Sequence, residues 1–122
     1  NNKSEFSEGV PEGLVVYVKG EEFFKEEIEG SIPMIVTKSA AFVGNERRDD
    51  KDKEILSFVG QIYVLIEGEC RAGDYILPEG NFCYAVDPEK ITFSQYKRAL
   101  GRCLFNKDEL EIGYVKCIIS IK

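Results

Sequence analysis

Carboxylates and thiols are the side chains with chemistry to offer. Residues 4–13, "SEFSEGVPEG", carry Glu5, Glu8 and Glu12. Carboxylates held close together push one pKa upward, and a carboxylic acid so raised can protonate an amide leaving group. That is the logic of a glutamic peptidase. Residues 21–30, "EEFFKEEIEG", place five glutamates among Phe23, Phe24 and Ile28. Without a D-x-D-x-D-G spacing they read as a hairpin arm of alternating exposure and not as a calcium loop, and no metal site is expected. Ser39 beside Lys38, and Ser57 near Lys53, raise a Ser-Lys dyad, but proximity in sequence does not set dyad geometry. The chain has no histidine, which removes Ser-His-Asp and Cys-His catalysis and histidine zinc sites within one subunit. Cys70, Cys83, Cys103 and Cys117 contain no C-x-x-C pair, so a zinc ribbon or a thioredoxin motif is not expected. Two readings of the four stay open: free, mostly buried thiols, or at least one disulfide whose pairing the sequence does not choose. No glycine-rich phosphate loop is present, and no cofactor is expected.

These groups need a scaffold. A chain of 122 residues with 43% hydrophobic and 31% charged content has the make-up of a single globular domain. Its net charge of −6 argues against a nucleic-acid partner or an anionic membrane face. No apolar run reaches the roughly 18 residues of a membrane-spanning helix, so no insertion is expected. Strand signals recur at 14–18, 32–37, 41–43, 55–66, 75–77, 83–86 and 114–121. In the last, Val115, Cys117, Ile119 and Ile121 share a face. The run "NERRDDKDKE", residues 45–54, has nine charged residues of ten and reads as a flexible, solvated loop.

Turns punctuate these strands. "RAGD" sets Gly73 for positive φ and Asp74 for hydrogen bonds to nearby backbone N–H groups, and Gly80 closes the following run. One helix, about residues 92–100, is expected: Thr92 and Gln95 form a capping box, and Gly101 supplies a left-handed stop. Phe93, Tyr96 and Leu100 then share its face. The fold class is mainly β, a compact antiparallel barrel or folded sheet with one short helix. Residues 1–12 form an acidic segment, the end of a linker or the end left by a cut, and 13–122 a single β-rich domain.

Taken together, Val59-Gly60-Gln61, the stretch Ala72 to Gly80, Ala85 to Thr92 and Leu100 to Cys103 carry a resemblance. Their order and spacing resemble the C-terminal domain of phage neck-appendage and tail-fibre proteins, over roughly residues 13–122. The resemblance implies a homotrimeric, β-rich end domain acting as an intramolecular chaperone for the upstream segment of its own polypeptide, in a virion or extracellular setting. It also implies glutamic-type autoproteolysis just before the first strand. There Glu5 matches the family's glutamate, while Asn2 and Lys3 stand where the family has an acid and an aromatic. Tethering three chain ends would fix the register of what precedes them, provided exposed apolar positions meet another copy. Phe23, Phe24, Phe58, Tyr63 and Phe82 are the candidates. A monomeric binding module and a free-standing carboxylate hydrolase are the competing readings.

Overall fold

The structure, a computed structural model, describes residues 11–37 and 60–119. Eight strands and one helix follow in order: β1 (Val15–Lys19), β2 (Glu22–Phe24), β3 (Ile32–Ile35), β4 (Gly60–Ile66), β5 (Tyr75–Glu79), β6 (Phe82–Val86), α1 (Phe93–Arg98), β7 (Gly101–Cys103) and β8 (Gly113–Ile119). The first three form an open sheet in the order β2-β1-β3, and the other five close into a barrel in the order β4-β6-β5-β7-β8. Among the described residues the chain is mainly β with one short helix, as its alternating apolar runs imply.

Every ladder among the described residues is antiparallel except one. β4 and β8 pair over seven residues, Gly60↔Ile119 to Ile66↔Gly113. The barrel closes where β4 meets β6 in parallel, at the single pair Ile66↔Cys83, strengthened by Glu67 N–H donating to the Cys83 carbonyl at 2.8 Å. Alternation then decides what faces inward. Val64 and Ile66 from β4, Ile76 from β5, Cys83 from β6, Cys103 from β7, and Val115 and Cys117 from β8 fill the interior. Val15, Tyr17 and Ile35 of the open sheet join the same core, so one face of that sheet packs against the barrel.

β5 runs through Pro78 to Glu79, beyond the Leu77 end that the proline suggested. Asp74 and Ile76 direct their carbonyls at Cys103 and Leu100. By alternation the even residues of β5 aim their backbone at β7, and β7 pairs only as far as Tyr75 and Ile76. The N–H that Pro78 lacks would therefore point past the end of that ladder, where none is needed. Pro33 is similar. Val36 N–H donates to the Leu14 carbonyl, so Met34 and Ile32 turn their backbone toward β1 and Pro33 turns its nitrogen to the open edge. A proline there blunts an edge otherwise able to recruit another strand.

The helix begins as expected and ends differently. Gln95 N–H donates to Thr92 Oγ1 at 3.1 Å, and Thr92 N–H to Gln95 Oε1 at 3.0 Å. The helix stops at Arg98, and Ala99 is already extended, with φ −65 and ψ 140. Gly101 is thus not a left-handed cap: it belongs to β7, and its φ is not positive. Its lack of a side chain serves packing, since a Cβ there would lie 2.0 Å from the Ile118 carbonyl oxygen. Phe93 and Tyr96 do not form a buried face either. No residue of α1 is buried, and the helix meets the barrel through Ala99, Leu100 and the edge-on contact of Tyr96 with Tyr75, ring centroids 5.6 Å apart.

Candidate functional site

Glu5, Glu8, the charged run 45–54, Phe58 and both Ser-Lys pairs lie outside the described residues. The turn residues lie within them. Asp74 N–H donates to the Arg71 carbonyl at 2.9 Å, and Arg71 N–H to Asp74 Oδ2 at 2.9 Å. With Gly73 at φ 97 this is a type II turn whose third position demands positive φ. Asp74 serves the fold. Ala72 N–H is taken by Asn106 Oδ1 at 2.8 Å, which fastens the turn to the loop before β8.

Gly80 opens the two-residue link between β5 and β6, with φ 63. Its carbonyl accepts from Tyr17 Oη at 2.7 Å, and burial pushes the Tyr17 phenol above its ordinary pKa. The neighbour, Asn81, is a residue the sequence reading passed over. Its carbonyl accepts from Val15 N–H at 2.9 Å. Its Nδ2 donates to the Val15 carbonyl at 2.7 Å and to the Lys25 carbonyl at 2.9 Å. One asparagine thereby ties the open sheet to the barrel through backbone groups of β1 and of the segment after β2.

All four cysteines are free and buried. Burial, then the proximity of Cys103, pushes Cys70 and Cys83 each up to about 12. Cys103 is raised further, first by its hydrogen bond with Cys117 and then by burial. Thiols so placed stay protonated at neutral pH and are poor nucleophiles. Among the described residues no group of three or more Cys, Asp or Glu side chains is arranged to hold a metal ion. No helix there is long and apolar enough to cross a membrane.

Lys107 is the other unforeseen residue. It is 7% exposed, and its Nζ donates to the Gly68 and Glu109 carbonyls at 2.7 Å each and to the Glu111 carbonyl. Its backbone forms a two-bond bridge with Cys70, each bond 2.9 Å. The ammonium is the hub of the loop that displays Phe105, Leu110 and Ile112 to solvent.

The strongest candidate for contact with a partner is the face of the open sheet turned from the barrel. Register partners share a face, so Phe23, Val18 and Ile32 form one row across all three strands, and Val16 and Met34 form the next. Ile32 is 63% exposed, Met34 41% and Phe23 38%, whereas Val16 is covered, so the open part of the face is the row of Phe23, Val18 and Ile32 with Met34. Of the five aromatic candidates, Phe23 lies in this row. Tyr63 is exposed on the outer face of β4, and Phe24 and Phe82 are half-buried. Exposed Glu21 and Lys25, on either side of Phe23 in the alternation of β2, flank the apolar row with both signs of charge. Compared with family models, curated proteins and solved structures, the chain matches none.

Proposed function

We propose that this chain is an assembly module: a β-rich end-piece that joins copies of itself, as a trimer, and holds the segments upstream of it in register. The observation that carries the reading is the apolar row Phe23, Val18 and Ile32, backed by Met34, on the face of the open sheet remote from the barrel. An apolar patch ringed by polar groups is the usual mark of an interaction surface. A chain of net charge −6 repels its own copies unless the contact is locally balanced. Lys25 and Glu21, flanking Phe23, supply that balance, so a second copy fits this face. The resemblance of residues 13–122 to trimeric end domains supports the number three and the virion or extracellular setting.

Sedimentation velocity at micromolar concentration tests the proposal. A species of three times 13.8 kDa is expected for the native chain. Ile32→Lys combined with Met34→Lys should reduce it to a monomer. A native chain that sediments as a monomer overturns assembly and leaves a monomeric binding module. A trimer that survives both lysines removes this face from the interface. Self-cleavage near Glu5 belongs to the same proposal: fused behind a carrier protein, the chain should release itself, and Glu5→Ala should stay joined. An intact fusion in both cases removes that part.

A further inference from the structure

The four buried thiols lie apart from the candidate face. Cys103 and Cys117 are direct register partners on β7 and β8. Cys103 N–H donates to the Asp74 carbonyl, and its own carbonyl accepts from Gly73 N–H, both at 2.8 Å. Its backbone therefore points away from β8, whereas the next residue, Leu104, donates to the Lys116 carbonyl at 3.0 Å. Cys103 and Cys117 are thus a non-hydrogen-bonded pair, the kind in which Cα atoms approach to about 4.5 Å and side chains come closest. A disulfide spans that separation. Both side chains enter the barrel, at 1% and 0% exposure. Cys83 and Cys70 have no such partner across a ladder: Cys83 faces Pro78 and Ile66, and Cys70 bridges Lys107.

We propose that Cys103 and Cys117 are a redox pair that closes to a cross-strand disulfide in an oxidising setting, while Cys70 and Cys83 remain thiols. The oxidant is a small-molecule disulfide. One cysteine, deprotonated as the strand opens, attacks it and forms a mixed disulfide, and one small thiol leaves. The second cysteine, losing its proton, displaces the other small thiol. Two protein thiols become one S–S bond, and two electrons and two protons end on the two released thiols. β7 is a short strand able to open: three residues long, it has two register pairs with β5 and three with β8. Burial keeps exchange slow in the closed barrel, so the bond forms during folding or transient opening.

The native chain refolded with glutathione disulfide, blocked with N-ethylmaleimide and digested with trypsin gives a direct reading. The four cysteines fall on four different tryptic peptides. A link between peptides Cys103–Lys107 and Cys117–Lys122 is expected. It should bring a rise in Tm of roughly 10 °C, lost again with dithiothreitol, from closing a loop of about 15 residues. Cys83→Ala should keep both the link and the shift. Four blocked thiols and no link, or a dominant link through Cys70 or Cys83, overturns the proposal, as does loss of the link in Cys83→Ala.

Discussion

Replacing Lys107 with methionine keeps the length and apolar stem of the side chain and removes only the ammonium. Three backbone carbonyls, of Gly68, Glu109 and Glu111, then lose their common donor. Each hydrogen bond to a charged group contributes about 1.5–3 kcal/mol. The full value does not apply three times over. Glu109 and Glu111 lie in an exposed loop, so water can reach part of the vacated cage, and methionine restores the burial of the stem. A net loss of about 3 kcal/mol is the balanced expectation, the worth of one or two such bonds. Unfolding 122 residues carries an entropy of about 0.25 kcal/mol per kelvin near the midpoint. The loss therefore corresponds to a fall in Tm of about 12 °C, read by circular dichroism on heating and checked by urea unfolding with an unchanged slope. A fall of less than about 3 °C would refute the idea that the ammonium organises this loop, and would mean that the Cys70–Lys107 backbone bridge holds it alone.

Asn81→Ala removes the two bonds its side chain makes to the open sheet and the segment after β2; hydrogen exchange should rise selectively at residues 14–25, with a stability loss of about 1–3 kcal/mol. Gly101→Ala should be more damaging than Gly73→Ala. The first drives a Cβ to 2.0 Å from a strand carbonyl, while the second meets open space and bears only the cost of positive φ, about 1–2 kcal/mol; comparing their urea midpoints checks the order. Stability should also fall in alkali. Burial raises the Cys83 thiol from 9.0 to about 12, so above pH 9 the unfolded chain releases a proton that the folded chain retains. The slope is then negative, up to about 1.4 kcal/mol per pH unit, between about pH 9 and about pH 12. A Cys83→Ala variant should show a shallower decline in urea titrations across that window.

What could be read from the sequence divides by the distance over which each residue acts. The Arg71–Asp74 turn and the Thr92–Gln95 cap were legible because their partners lie three residues away. The inward face of β8 was legible too, since alternation alone places Val115 and Cys117 together. Gly101 was misread because its reason is Ile118, a neighbour only once β7 and β8 have paired. Lys107 gave no signal: its partners are carbonyls, which every residue has. Asn81 looked like an ordinary turn residue until β1 came to rest on it. The candidate face was half-visible. Phe23 stood out, but the row with Val18 and Ile32 depends on the order β2-β1-β3, which periodicity does not contain.

The seven-residue ladder between β4 and β8 makes the barrel depend on strands some fifty positions apart in the chain. Among the described residues β8 comes last, and both β4 and β7 wait for it. On a ribosome the wall stays open until Gly113–Ile119 has emerged, and a polypeptide halted before that point has no closed cylinder on which β1 can settle. Maturation of this molecule is thereby gated by the arrival of Gly113–Ile119: a polypeptide lacking that strand stays unclosed and open to proteolysis.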